Sequence, residues 1–406
     1  MKIRTITLFL FLLVAMSCNS NGKPQNLSES IPLETEKEAA KVVVGAERIL
    51  EYLPLIEGKK VGMVVNNTAV VGDKHIVDIL LEKDVKIAKV FAPEHGFRGE
   101  ADAGAHINDH TDKQTGLPVV SIYGKTRKPT SEMMKGLDVV LFDIQDVGVR
   151  FYTYISTLHN IMNACGEYGL PLVVLDRPNP NGDYVAGNIL DPKFKSFVGM
   201  HQIPIVHGLT VGELAQMING EGWLDGGRKC DLHVVSAKNW NHKMHYSLPV
   251  LPSPNLPNDI SIRLYPSLCL FEPTTVSIGR GTDFPFQVIG CLDKSQGNFE
   301  FTPRSIPGKS TRPKHEGEVC YGVDLRNEPL SHRFTLKYMV DFYSKNTKKD
   351  KFFTSSSFFN KLAGGDKLIQ QIKAGMTAEE IEVSWQPELD KYKKMRKKYL
   401  LYVDFE

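Results

Sequence analysis

The strongest constraint on this chain is a series of strand-length apolar runs separated by helical patterns. The runs are Val61 to Val65, Ile87 to Phe91, Val119 to Tyr123, Val139 to Ile144 and Leu172 to Leu175. They are continuous rather than alternating, as expected for strands buried on both faces of a parallel sheet. Between them, Ile76, Ile79 and Leu80, and later Ile155, Leu158, Ile161, Met162 and Cys165, recur at helical spacing. Strands alternating with helices imply right-handed crossovers, and hence an α/β fold on a Rossmann-like, doubly wound, mostly parallel sheet. A further helix is expected from Thr210 to Asn219, because Thr210 and Glu213 have the spacing of a capping box. Leu232 to Val235 is one more strand candidate.

The residues just past each run point toward a site. The runs end in Asn66-Asn67, Pro93-Glu94-His95, Gly124-Lys125, Asp143-Ile144-Gln145-Asp146 and Asp176-Arg177-Pro178-Asn179. Open parallel sheets bind ligands beyond the carboxyl ends of their strands. Any one cluster suits a turn or a helix cap. Several polar clusters on one sheet edge favour a polar site.

The N-terminus has a different composition. Lys2 and Arg4 precede an apolar run from Ile6 to Met16 that is too short to span a bilayer. Residues 1–17 read as a secretory signal peptide. The run ends in Val14-Ala15-Met16-Ser17-Cys18, which resembles a bacterial lipobox with Cys18 as the lipidated residue. Residues 18–42 are polar and read as a tether. The expected product is an exported, periplasmic protein, anchored to a membrane through lipid alone. The 406-residue chain has a formal charge of +2. Removing residues 1–17 takes away Lys2 and Arg4 and no acid, leaving 47 basic against 47 acidic residues. That balance excludes an electrostatic nucleic-acid binder. The other cysteines, Cys165, Cys230, Cys269, Cys291 and Cys320, form no C-x-x-C pair and read as small buried hydrophobes.

After residue 240 the pattern changes. Leu251-Pro-Ser-Pro-Asn255-Leu-Pro257 imposes an extended path. Ser277-Ile-Gly-Arg280-Gly-Thr-Asp283 sets an arginine between glycines, where a ligand contact competes with a simple turn. A mixed α+β region is expected beyond residue 290, with a helix from Phe334 to Ser344. The basic stretch Lys391 to Lys398 reads as a solvated helix face. These changes suggest a Rossmann-like part over residues 43–245 and a smaller ancillary α+β part over 246–406 that closes a cleft.

Nucleotide and metal motifs fail. No G-x-G-x-x-G follows a strand, so no nucleotide cofactor is expected. Gly308-Lys309-Ser310 ends like a phosphate loop, but its first glycine position is Pro303. Asp102, His106, Asp109 and His110 lack helical periodicity, so no metal is expected. What remains is carboxylates, guanidiniums, amides and aromatics. Glu94 stands at a strand end before Gly96 and Gly99, and Asp143 and Asp146 stand at another before Arg150, Phe151, Tyr152 and Tyr154. Rings that stack on sugar faces and polar groups that bond hydroxyls suit a carbohydrate. Glycoside hydrolysis needs a proton donor and a second group that stabilises charge or acts as base. A salt bridge from Asp143 or Asp146 to Arg150 or Arg177 competes with direct chemistry.

Six motifs in order carry a resemblance. They are Phe91-Ala-Pro-Glu-His-Gly-Phe-Arg-Gly99, Phe142-Asp-Ile-Gln-Asp-Val-Gly148 with Arg150-Phe-Tyr-Thr-Tyr154, Leu175-Asp-Arg-Pro-Asn-Pro-Asn-Gly182, His207-Gly-Leu-Thr-Val-Gly-Glu-Leu-Ala215, Pro252-Ser-Pro-Asn-Leu-Pro257 and Gly279-Arg-Gly-Thr282. Together they resemble the NamZ-type exo-β-N-acetylmuramidases, glycoside hydrolase family 171. The resemblance implies a site in the cleft between two subdomains, no cofactor, and release of N-acetylmuramic acid from non-reducing ends of peptidoglycan fragments. Muropeptides or a MurNAc-GlcNAc disaccharide are the expected partners. By motif, Glu94 is the leading acid/base. His95, Arg98, Gln145, Arg150, Tyr152, Tyr154, Arg177, Asn179, Asn255, Glu272 and Arg280 are candidates to line the pocket. The group acting with Glu94 stays open among Asp143, Asp146, Glu272, a tyrosine and the substrate's own acetamido group. Arg98, Arg177 and Arg280 are the contenders for the substrate's lactyl carboxylate. A muropeptide-binding lipoprotein without catalysis is the alternative.

Overall fold

A computed structural model describes residues 40–94, 96–98, 109–124 and 126–406. Residues 1–39, which include the segment expected to be a signal peptide and Cys18, lie outside these, as do His95, Asp102, His106 and Lys125.

The first half begins with α1 (Ile49–Ile56), β1 (Val61–Val65), the hairpin β2 (Val70–Val71) and β3 (Lys74–His75), α2 (Ile76–Leu81) and β4 (Ile87–Ala92). Next come β5 (His110–Thr111), β6 (Pro118–Ser121), α3 (Ser131–Met134), β7 (Val139–Asp143), α4 (Tyr154–Tyr168), β8 (Leu172–Leu175), α5 (Val211–Gly220) and β9 (Leu232–Val235). Seven strands form one sheet in the order β5-β6-β4-β1-β7-β8-β9. Every pairing is parallel except β5 with β6. The expected doubly wound sheet is therefore present. Strand β1 is central, and the chain builds outward first through β4 and then, on the other side, through β7. The switch point falls beside β1, where the carboxyl ends of β4 and β7 deliver Glu94 and Asp143.

The continuous apolar runs are explained by two cores. Val64, Phe91, Val140, Phe142 and Val174 point into one. Met63, Val65, Val90, Leu141 and Val173 point into the other. Successive residues of a strand face opposite ways, so a strand covered on both sides must be apolar throughout. Tyr52 and Ile56 of α1 and Ile76, Val77 and Leu80 of α2 cover one face. Helices α4 and α5 and much of the second half cover the other. Thr210 caps α5 as expected: its hydroxyl accepts from the Glu213 backbone N–H, and the Glu213 side chain returns the bond to Thr210. Helix α4 stops at Gly169, whose φ of 68° is left-handed.

The second half contains α6 (Asp259–Leu268), β10 (Val288–Cys291), β11 (Phe299–Phe301) and β12 (Cys320–Asp324). Its helices continue with α7 (Lys337–Lys345), α8 (Ser356–Ala363), α9 (Lys367–Lys373), α10 (Ala378–Ser384) and α11 (Gln386–Arg396). Strands β10, β12 and β11 make a small antiparallel sheet. The helix expected from Phe334 begins three residues later. The N–H groups of Phe334, Thr335 and Leu336 are taken by Tyr184, Ser267 and Glu382 side chains, so that stretch is held by tertiary bonds. The basic stretch also departs from expectation at one residue. Arg396 is fully buried, bonded to the Gly208 carbonyl and paired with Asp404. Lys41–Glu406 pack as one compact unit. The C-terminal residues return to the first half, where Leu401 N–H and Tyr402 hydroxyl bond Glu213 and Asp176.

Candidate active site

Glu94 sits just beyond β4, where Pro93 ends the strand and Gly96, at φ 79°, turns the chain back to bond the Pro93 carbonyl. The side chain is half-buried, and both of its oxygens are held. Tyr123, beyond the end of β6, donates its hydroxyl to Oε1 at 3.0 Å. Thr153 donates to Oε2 at 2.8 Å. Thr153 is also the N-cap residue of α4, yet its hydroxyl makes no cap bond. A threonine at that position ordinarily caps its helix. Here the hydroxyl is diverted to the carboxyl group, a local rule broken in favour of a site. Burial and then the adjacent Glu94 push the Tyr123 phenol up, so it stays a donor.

These residues open onto a cavity of about 460 Å3, within the roughly 300–1,000 Å3 of small-molecule sites. One wall is aromatic. Tyr152 packs edge-on against Tyr154 and Tyr265, and Tyr265 against Phe286. The Tyr152 hydroxyl donates to the Pro252 carbonyl at 2.6 Å, joining this wall to the proline-rich segment that carries Asn255. Asn255 lines the cavity and bonds the Lys309 carbonyl. Glu272 and Arg280 line another side, with Arg280 Nε 2.8 Å from Glu272 Oε1. Burial disfavours the Arg280 charge, but the Glu272 carboxylate outweighs it and raises the guanidinium pKa. Lys314 donates to the Phe271, Glu272, Thr274 and Val276 carbonyls and so holds the segment bearing Glu272. Arg127, Phe197, Phe358 and Lys361 complete the rim.

Glu94, Tyr152, Tyr154, Asn255, Glu272 and Arg280 are thus brought together. The other described candidates are not among the lining residues. Asp143 and Asp146, expected to be catalytic, are buried in the structure instead. Asp143 forms a two-pronged pair with Arg177 at 2.5 and 2.9 Å, and Arg177 also bonds the Val70 carbonyl. This is the competing salt bridge, and it removes Arg177 as well. Asp146 accepts from the Gly148 N–H at 2.7 Å. Gly148 has φ 76°, and a Cβ there would collide with Asn179, so the loop is glycine-dependent. Asn179 bonds the Leu209 carbonyl and the Asn181 N–H, and Gln145 bonds the Asp146 and Pro178 carbonyls. Arg150 gives its four bonds to the carbonyls of Asn188, Ile203, Leu362 and Ala363. Complete burial brings its pKa down to about 9. Arg98 pairs with Asp112 at 3.0 Å and lies over Phe97. Asp143 and Arg177 neutralise each other and Arg150 is bonded to four carbonyls, so these buried charges serve the scaffold, where a buried charge needs a partner or bonds.

The sequence reading missed Tyr123, Thr153, Arg127 and Lys361. Thr153 was the unassigned position inside the Arg150-to-Tyr154 motif, and Tyr123 immediately precedes a strand-end cluster, so both had a local signal. Lys361 had none.

The sequence matches known proteins along nearly its whole described length. Residues 61–260 match the family described as exo-β-N-acetylmuramidase NamZ, N-terminal, and residues 263–402 match its C-terminal counterpart. The chain belongs to the NamZ exo-β-N-acetylmuramidase family. It is therefore a glycosidase by family. Among NamZ relatives, the peptidoglycan β-N-acetylmuramidase NamZ of Bacillus subtilis (strain 168) is 42% identical over 387 residues, covering 89% of this chain and 92% of that protein. Two crystal structures of DUF1343-family proteins from Bacteroides fragilis NCTC 9343 share the NamZ fold seen here. One is 45% identical with a TM-score of 0.83, covering 90% of this chain and 100% of its own. The other is 30% identical with a TM-score of 0.78, covering 89% and 99%.

Proposed function

We propose that this protein is an exo-acting glycoside hydrolase that releases N-acetylmuramic acid from non-reducing ends of peptidoglycan fragments, with Glu94 as its acid/base. The observation that carries the reading is the setting of Glu94. It is a strand-end carboxyl group facing an aromatic-walled cavity, with a separate hydroxyl donor on each oxygen. Two fixed donors restrict rotation of the carboxyl group and present it in one orientation to the leaving glycosidic oxygen. Family membership favours hydrolysis over the binding-only alternative. The Bacillus subtilis relative is named for peptidoglycan, and that substrate class is extended to this chain. Muropeptides and the MurNAc-GlcNAc disaccharide are its substrates in this reading.

The second group is Glu272 in this reading. Among the described residues, Glu94 and Glu272 are the acidic side chains lining the cavity. A carboxylate on the far side of the sugar stabilises the positive charge that develops at the anomeric centre. Export and lipid anchoring through Cys18 complete the proposal, and they put the enzyme on the same side of the membrane as its substrate.

The test is Glu94→Gln with a MurNAc-terminated disaccharide. The substitution keeps shape and removes the ionisable proton. MurNAc release is expected to fall by at least about 10²-fold. Release at the wild-type rate would remove Glu94 from the chemistry.

A further inference from the structure

An anionic sugar substituent needs a cation that is not already neutralised. Three cationic residues line the cavity among the described residues: Arg127, Arg280 and Lys361. Arg280 is bonded to Glu272 on the cavity wall. Arg98 and Arg177, the other arginines expected to read the lactyl group, are held by Asp112 and Asp143. Arg127 and Lys361 are exposed, and neither has an acidic partner within 4.0 Å among the described residues.

Arg127 is also posed for recognition. Its guanidinium lies 4.2 Å from the centre of the Phe197 ring. A cation over a ring face keeps its attraction to the ring without spending its N–H donors, which leaves them available to a carboxylate. Phe197 in turn packs against Tyr123, with ring centroids 6.2 Å apart, and Tyr123 bonds Glu94. A path of contacts therefore links Arg127 to the residue that holds the proposed acid. Lys361 comes from α8, whose Phe358 and Leu362 line the same cavity. The carboxyl end of α8 is fixed by Arg150, which bonds the Leu362 and Ala363 carbonyls.

We propose that Arg127 and Lys361 form the anion-reading rim of the cleft and bind the carboxylate of the substrate's lactyl substituent. This rests on the muramidase reading above. Arg127 supplies a two-pronged bond and Lys361 a movable point charge. Residues 18–406 hold equal numbers of basic and acidic residues, so selection of an anionic sugar falls to these placed cations rather than to the overall field.

The test compares two ligands, N-acetylmuramic acid and its neutral lactyl amide, in wild type, Arg127→Met, Lys361→Met and the double variant. Calorimetric affinity and, with matched aryl glycosides, kcat/KM are measured for both. Wild type is expected to prefer the anion. Each single variant should reduce the anion-to-amide preference by about 10-fold or more, as expected for losing a charge-assisted bond. Arg127→Lys should retain part of the preference. An unchanged preference, or equal losses for both ligands, overturns the proposal, since a merely structural role weakens the two alike. The affinity arm needs no turnover. A wild type that binds the anion preferentially but cleaves neither glycoside would sink the muramidase reading while leaving the rim in place.

Discussion

Glu94 is positioned by side chains from two other segments, and those contacts define what single substitutions should do. Tyr123→Phe removes the donor to Oε1 but keeps the ring against Phe197. We expect a fall in kcat of about 10-fold, with stability changed by no more than about 1.5 kcal/mol, the net worth of one hydrogen bond. Steady-state kinetics beside a denaturant titration separates the two effects. A fall in stability without a fall in kcat would give Tyr123 a structural role only. The same scale explains which candidates moved. Asp143, Arg177 and Arg150 are polar residues in a glycine- and proline-punctuated edge, and from sequence a ligand and a buried partner attract the same residue types. Only the position of the partner tells them apart.

Elements keep the cleft in register through a few buried polar junctions. Asp176, just beyond β8, accepts from the Thr210 hydroxyl, the Gly212 N–H at the start of α5, and Tyr402 in the C-terminal tail. Burial raises its carboxyl group to about 6, with the Tyr402 and Thr210 bonds acting in the opposite direction. The folded pKa lies above the ordinary value of 3.8. The folded state therefore holds the proton more tightly, and this contribution to stability is fully present below that value. It is lost as pH rises through about 6. Asp176→Asn should abolish this dependence. The destabilisation it causes should grow as pH falls from 7 to 4, by at most about 3 kcal/mol for a shift of roughly two units. Urea titrations of both proteins at intervals across that range would measure it. A penalty that does not vary with pH would refute the assignment. Helix boundaries obey the same junctions: α5 begins where its capping box predicts, whereas α7 yields its first turn to side chains from three distant positions.

For the whole molecule, the topological reversal beside β1 puts the ends of β4 and β7 together, and the second half supplies Glu272, Arg280 and Lys361 to the same cavity. The proposed lipid anchor acts at this scale too, because it sets where that cavity meets peptidoglycan. Cys18→Ala should shift the protein from the membrane fraction to the soluble fraction of fractionated cells while its specific activity stays within about two-fold. Continued membrane association of the variant would remove Cys18 as the anchor.

The sheet was legible because its cause is local: a strand covered on both faces must be apolar at every position, and that pattern survives in any short window of sequence. Glu94, Tyr152, Tyr154, Asn255 and Arg280 were legible because they sit in the ordered motifs quoted above, and Glu272 stands directly before Pro273. The division of the polar residues between scaffold and cleft was decided only by the tertiary structure. The partner of Arg177 lies 34 residues away and those of Arg150 up to 213 away. Lys361 reaches the cavity on a helix no motif announced. Burial and pairing are properties of three-dimensional neighbours, and no single window of this sequence contains both members of such pairs.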